Sequence, residues 1–157
     1  MTNGYPATFL ATFDPRNPNR QPKRNREVEG VVRHTFCKAE RLCGKAANGL
    51  FVGSKSSFAH PYRYIVKKRP ALDQDQASVS VLIVVPKRNV KRAVGRNLLK
   101  RRTREAYRLC KHSLIGKAQA KGLHIDIGLI YSTKEILDYK IIDNAVRAIV
   151  EKVGSRL

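Results

Sequence analysis

The spacing of apolar side chains along the chain alternates between helical and extended periods. From Lys45 to Phe51, Ala47, Leu50 and Phe51 recur on one side of a helical turn, and Gly53 follows as a stop signal. Tyr62 to Val66 (YRYIV) is aromatic and β-branched, which predicts a strand, with His60-Pro61 as a turn or edge before it. Lys67 to Gln76 is polar and carries Pro70 and Asp73-Gln74-Asp75-Gln76, the composition of a loop with a solvated acidic turn. Ser78 to Val85 (SVSVLIVV) begins in strict alternation and ends continuously apolar. That pattern predicts a central strand, exposed at its start and covered on both faces at its end.

Pro86 closes this strand, and the basic loop Lys87-Arg88-Asn89-Val90-Lys91-Arg92 leads into a helix over Val94 to Lys111. Gly116 and Gly122 bracket a further loop. His124 to Tyr131 is a strand in which Ile125, Ile127 and Leu129 alternate with Asp126, Gly128 and Ile130. The last element, Ile136 to Val153, sets Ile142, Ala145, Val146, Ile149, Val150 and Val153 on one helical face. The expected fold class is α+β: a single small sandwich with a central β-sheet packed by helices.

Residues 1–33 break the pattern. Pro6, Pro15, Pro18 and Pro22 interrupt any helix, and the stretch from Arg16 to Arg26 is polar and basic without periodicity. The expected organisation is a disordered basic tail over 1–33 and an α+β domain over 34–157. The tail is either a solvated leader without a role or a segment that fastens onto RNA and orders on binding.

Charge narrows the function. The 157 residues include 32 Lys and Arg against 12 Asp and Glu, a formal net charge of +20. A small domain with this balance repels itself, and a polyanionic partner is the usual reason for tolerating that. Nucleic acid fits, because phosphate neutralisation releases condensed counterions. A membrane fits poorly: the longest apolar stretch, Val81 to Val85, is strand-sized, and Met1 to Leu10 lacks the pattern of a secretory signal. The basic helix also lacks the bulky apolar face of an interfacial helix. Cys37, Cys43 and Cys110 are odd in number and have no paired spacing, and His34, His60, His112 and His124 are scattered. They are read as reduced cytosolic thiols and ordinary histidines rather than zinc ligands, with Cys110 in a core.

At 100° per residue, Asn97, Arg101, Arg104 and Arg108 fall in one narrow arc of the main helix. Leu99, Thr103, Ala106 and Cys110 fall opposite, towards the sheet. Lys100 sits on one shoulder with Arg96 and Tyr107 beyond it, and Arg102 lies towards the other flank. Solvated helix faces mix Lys with Glu to gain pairing energy; this one is rich in Arg, the residue suited to bidentate phosphate contacts. Glu105 is the sole acid between Lys87 and Ile125, placed to pair with Arg101 and Arg108 and so to fix their direction.

The stretch Arg92-Ala93-Val94-Gly95-Arg96-Asn97-Leu98-Leu99-Lys100-Arg101-Arg102-Thr103-Arg104-Glu105-Ala106-Tyr107-Arg108 resembles the signature of the bacterial ribonuclease P protein family. That signature runs as a small pair, Arg-Asn-Arg, an aliphatic residue, Lys-Arg, two variable positions, Arg-Glu and a later Arg. The similarity extends to Phe36-Cys37-Lys38-Ala39-Glu40-Arg41-Leu42, to Leu50-Phe51 and to Ile125-Asp126-Ile127, covering about 34–153. Two departures stand out: Leu98 replaces the second Arg of Arg-Asn-Arg, and Ala47 stands where an aromatic is common.

The resemblance implies an αβββαβα order with a left-handed crossover. It implies the protein subunit of ribonuclease P, a ribonucleoprotein endonuclease that removes the 5′ leader of precursor tRNA in the cytoplasm. The implied partners are the catalytic RNA and precursor tRNA, with neither DNA nor membrane. The chemistry is implied to belong to the RNA, with Mg²⁺ serving the ribonucleoprotein and no catalytic residue, metal or cofactor assigned to this chain. Arg96, Asn97, Lys100, Arg101, Arg104 and Arg108 match the motif as contacts to the catalytic RNA, and Lys87, Arg88, Lys91 and Arg92 extend that surface. Phe51, Phe58, Tyr62 and Tyr64 are candidates for the leader cleft, since single strands bind on aromatic platforms beside cations. Phe51 is equally suited to core packing, and a strand alternates its faces at Tyr62 and Tyr64.

Other classes remain to be separated from this one. A small basic ribosomal or other structural RNA-binding protein shares the charge and architecture. A DNA-reading helix would offer short polar side chains to base edges. A protein nuclease acting alone would need an acid/base set, and no paired carboxylates, HExxH or Cys/His dyad appear.

Overall fold

The computed structural model describes residues 35–72 and 78–157. The expected basic tail and the run Asp73-Gln74-Asp75-Gln76 lie outside the described residues. The elements are α1 (Gly44–Phe51), β1 (Ser56–Ala59), β2 (Tyr62–Pro70), β3 (Val79–Val84), α2 (Ala93–Ala120), β4 (Leu123–Tyr131) and α3 (Tyr139–Ser155). They form one sheet in the order β1-β2-β4-β3. The β1–β2 and β2–β4 pairs are antiparallel, while β3 and β4 are parallel. Parallel neighbours need a long crossover, and α2 supplies it. The α+β sandwich is the expected class.

Helices α2 and α3 cover one face of the sheet. There Tyr62 and Tyr64 of β2, Val79 and Val81 of β3, and Ile125, Ile127, Leu129 and Tyr131 of β4 pack with Leu99, Ala106 and Leu114 of α2. The six apolar positions predicted for the last helix, Ile142 to Val153, are all buried in that core. Among the described residues, α1 and the segment before it pack on the opposite face: Leu42, Leu50 and Ile65 form a small cluster with Ala47, Leu82 and Ile130 against it. Gly128 makes this close seating feasible, since a Cβ there would lie 2.7 Å from Leu50 Cδ2.

Three expectations are corrected. Strand β3 sits at the sheet edge rather than its centre, and Val79, Ser80 and Val81 are its buried end. Its start is covered because residues 40–42 run alongside: Val81 N–H donates to the Glu40 carbonyl (2.8 Å) and Leu42 N–H to the Val81 carbonyl (3.1 Å). Strand β2 continues past Val66 to Pro70, pairing its cationic end with His124 and Leu123. Helix α2 passes through Gly116 to Ala120, because Leu114 and Ala118 keep a buried stripe in register. Strand β1 is the first of the three strands that the resemblance implied before the main helix; Ser56-Ser57-Phe58-Ala59 pairs with the start of β2 although it lacks β-branched residues.

Candidate nucleic-acid interface

The projected face of α2 is largely as expected. Leu99, Thr103 and Ala106 are buried, Cys110 is half-buried, and Asn97, Arg101 and Arg104 are exposed. Tyr107 departs from the projection: it is buried, together with Lys111. The cause lies in the segment before α1. The Phe36 ring meets Tyr107 edge-on with centroids 5.7 Å apart, and Lys111 forms a buried ion pair with Glu40 while donating to the Thr35 carbonyl. Burial pushes the Tyr107 phenol well above its ordinary value, and the Glu40 carboxylate adds to that. The rest of α2 is held by Tyr62, whose hydroxyl lies 2.6 Å from Thr103 Oγ1. Thr103 donates to the Leu99 carbonyl, so Tyr62 is the donor to Thr103.

The cations divide by what they already hold. Arg96 donates to the carbonyls of Val90 (3.1 Å) and Lys91 (2.5 Å), so it braces the loop that presents Lys91 and Arg92. Asn89 secures the same loop through its Nδ2, which donates to the Tyr131 carbonyl at 2.7 Å. A Cβ on Gly95 would lie 2.8 Å from Ile136 Cδ1 and 3.1 Å from Val90 Cγ1, which explains a glycine where the loop meets the helix. Arg102 donates to the Leu137 carbonyl (2.6 Å) and ties α2 to the approach of α3. Arg108 grips Glu105 through two hydrogen bonds of 2.9 and 2.5 Å. That pairing holds the Glu105 carboxyl below its usual range and raises Arg108. Of the two partners anticipated for Glu105, Arg108 is the one that pairs. Lys87, Arg88, Lys91, Arg92, Arg101 and Arg104 project from the surface, and Lys100 is half-buried at its shoulder. Leu98 is 38% exposed beside them.

Phe51 ends α1, and the three other cleft candidates separate by strand parity. Cross-strand partners share a face, and Phe58 pairs with Arg63 while Ser56 pairs with Ile65. Phe58, Arg63, Ile65 and Lys67 therefore share the α1 face with Ile130 and Ile127's neighbour Asp126. Phe51 and Phe58 are 44% and 59% exposed there. Tyr62 and Tyr64 point the other way, at 0% and 3% exposure, so they cannot act as exposed stacking platforms on that face. Burial pushes the Tyr62 phenol up to about 12. Sequence reasoning passed over Arg63 and Lys67, both exposed; the alternation of YRYIVKK places them opposite the two tyrosines. Lys67 donates to the Gly49 carbonyl of α1 at 3.4 Å.

Another polar cluster lies on this face. His124 Nε2 is 3.0 Å from Asp126 Oδ1 and 3.2 Å from Ser80 Oγ. Both partners meet the same ring nitrogen, whereas a nucleophilic triad bridges through both, so this cluster lacks the geometry of a relay. Among the described residues no group of three His, Cys, Asp or Glu is placed to hold a metal ion, and no helix is long and apolar enough to cross a membrane.

A basic helix on one side of an α+β sheet, with an open aromatic and cationic face on the other, is the layout of a nucleic-acid-binding protein. The family model described as Ribonuclease P matches residues 36–154. A ribonuclease P protein component from Porphyromonas gingivalis is 30% identical over 121 residues, covering 76% of this chain and 87% of that protein. One from Chlorobium phaeobacteroides is 33% identical over 110 residues, covering 66% and 73%. The solved Staphylococcus aureus RNase P protein shares the fold with a TM-score of 0.54 at 20% identity, covering 74% of this chain and 96% of that one. The RNase P protein of Thermotoga maritima gives 0.51 at 21%, covering 69% and 91%. The chain belongs to the ribonuclease P protein family, and its role is that of the protein subunit of a ribonuclease P. This membership decides against the ribosomal alternative.

Proposed function

We propose that the chain grips the catalytic RNA of ribonuclease P with the outward cations of α2 and its preceding loop, and guides the precursor tRNA leader over the α1 face. The observation that carries this reading is the division of labour on α2. Arg96, Arg102 and Arg108 hold protein groups, which orients the loop and helix so that Lys87, Arg88, Lys91, Arg92, Lys100, Arg101 and Arg104 face a polyanion. Asn97 lies on the same exposed arc and offers a neutral amide between the charges. Arg–phosphate contacts of this kind position an RNA without reading its sequence.

On the other face, Phe51 and Phe58 present aromatic surface beside Arg63 and Lys67, the pairing that suits a single strand of any sequence. Tyr62 and Tyr64 support the sheet from behind. In this reading phosphodiester cleavage falls to the RNA, with Mg²⁺ bound by RNA groups. The protein's contribution is affinity and placement, in the cytoplasm where precursor tRNA is made.

Reconstitution tests this. Adding the full chain to a bacterial ribonuclease P RNA at low magnesium is expected to stimulate 5′ cleavage of precursor tRNA. Folded protein that gives no stimulation overturns the reading.

A further inference from the structure

The outward face of α2 carries an uncharged interval that phosphate contacts leave unexplained. Val94 is 79% exposed, Ile136 in the approach to α3 is 47% exposed, and Leu98 completes the group. Their continuity follows from helix geometry and two contacts. Ile136 Cδ1 lies against Gly95, where a Cβ would come within 2.8 Å of it, and the Leu137 carbonyl accepts from Arg102. Gly95 stands three residues before Leu98 and Arg102 four after it, so the 136–137 segment runs alongside Leu98. Val94, four residues before Leu98, closes its other flank.

Single apolar side chains on a surface need no explanation. These three are contiguous, and cations surround them. Lys91 and Arg92 come just before Val94, and Arg101 follows Leu98 by one turn, all of them exposed. Asn97 lies between Val94 and Arg101 on the same arc, also exposed. An apolar centre inside a polar rim is where an interface gains most from burial.

On the reading above this face meets RNA, and the parts of an RNA differ in what they can cover. Phosphates belong beside Lys91, Arg92 and Arg101 and gain nothing from an aliphatic neighbour. A duplex presents hydroxyls and hydrogen-bonding base edges in its open groove. A base face is broad, flat and weakly polar, and a nucleotide outside a duplex can turn that face to a side chain.

We propose that Val94, Leu98 and Ile136 take the face of one unpaired base of the ribonuclease P RNA, while Lys91, Arg92 and Arg101 hold the phosphates on either side. This rests on the placement of that RNA along α2 proposed above. Leu98 is then a contact in its own right rather than a lost cation. It exchanges a phosphate contact for a base contact, which makes the subunit selective for an RNA that exposes a base at this point.

Val94→Ala/Leu98→Ala shortens two exposed side chains, so the melting temperature is expected to stay near wild type. Titrated with a bacterial ribonuclease P RNA across a salt series, the full-length variant is expected to bind about tenfold more weakly throughout. The slope of log affinity against log salt is expected to be unchanged, because an apolar contact releases no counterion. Leu98→Met keeps the apolar contact and is expected to bind like wild type, whereas Arg101→Ala should lower the slope by about one unit. RNAs carrying single abasic nucleotides at unpaired positions then locate the base. At one position the missing base is expected to weaken wild type by about tenfold and Val94→Ala/Leu98→Ala hardly at all, the coupling of a direct contact. Wild-type affinity in Val94→Ala/Leu98→Ala overturns the contact, and a lowered slope in that variant overturns a base as what is touched. Absence of coupling at every abasic position does the same. A free wild-type dimer that Val94→Ala/Leu98→Ala dissolves overturns RNA as the occupant and assigns a second copy of the chain. Failure of the RNA placement itself is separate: Arg101→Ala then leaves the slope unchanged, whereas failure of the base contact alone leaves Arg101→Ala effective.

Discussion

On the α2–α3 side of the sheet, a continuous core runs from Tyr62 and Val79 through Ile125 to Val153. On the α1 side, the buried apolar cluster is Leu42, Leu50 and Ile65, and phenylalanines stand in solvent around it. Each fully buried aliphatic or aromatic side chain contributes roughly 1.5–3 kcal/mol, so the stability of the domain resides mainly on the first side. The second side is dry enough to hold α1 and open enough to receive a ligand. One parity of each strand thus builds the main core, and the other faces the lightly covered α1 side.

The sharpest break in this contrast comes from the buried ion pair that fastens the leading segment to α2. Lys111→Met leaves Glu40 buried without its counter-charge and is expected to cost about 3–5 kcal/mol in chemical denaturation. A loss below 1 kcal/mol would show that the segment is held by other means. Next come paired substitutions on opposite faces. Leu129→Ala opens a cavity in the main core and is expected to cost about 2–5 kcal/mol. Phe51→Ala should stay within about 0.5 kcal/mol of wild type in stability, yet weaken binding of a single-stranded leader oligonucleotide by about 1–3 kcal/mol. Equal stability losses in the two variants would erase the distinction between the faces.

A smaller effect tests the covered side through pH. The Tyr62 phenol has its folded value raised to about 12 from 10.0, so the fold favours the neutral form. Its contribution is complete below pH 10 and is lost as pH rises from 10 towards 12, when the unfolded chain ionises first. Tyr62→Phe should lose about 1 kcal/mol at neutral pH, since the bond to Thr103 disappears, and should show a shallower alkaline decline in melting temperature. An identical decline in both proteins would place the effect elsewhere. The smallest expected change concerns the outer surface of α2. Glu105→Gln removes the ion pair with Arg108 and should leave the melting temperature close to wild type, because water screens an exposed pair. Because Arg108 lowers the Glu105 carboxyl, the pairing is present above the ordinary carboxylate range and is lost as pH falls through the lowered value. Unchanged RNA affinity in Glu105→Gln would show that the pair does not aim Arg108.

Periodicity made the buried face of α3 legible, from Ile142 to Val153, because that one face packs against α2 and the sheet while the other stays in solvent. The arginine-rich arc of α2 was legible for the same reason. What escaped was set by tertiary cover. Tyr107 and Lys111 look like surface residues until Phe36 and Glu40 are laid over them. Gly116 resembles a stop until Leu114 and Ala118 are seen to share one buried stripe. The apolar run of β3 mimics a central strand because a short segment, rather than another strand, occupies its far edge. Tyr62 and Tyr64 have the chemistry of stacking platforms, and only the pairing of Phe58 with Arg63 fixes which parity faces outward.

The cover on β3 has a consequence for how the protein survives in solution. Val79–Val84 (VSVLIV) is uncharged and rich in β-branched residues, the composition of segments that zip together with their own copies. As an exposed edge it would template such growth. The net charge of +20 keeps free copies apart, but RNA cancels that protection as it binds. The backbone bonds that Val81 donates to Glu40 and accepts from Leu42 do not depend on charge, so this part of the edge stays occupied in the very state where repulsion has been neutralised.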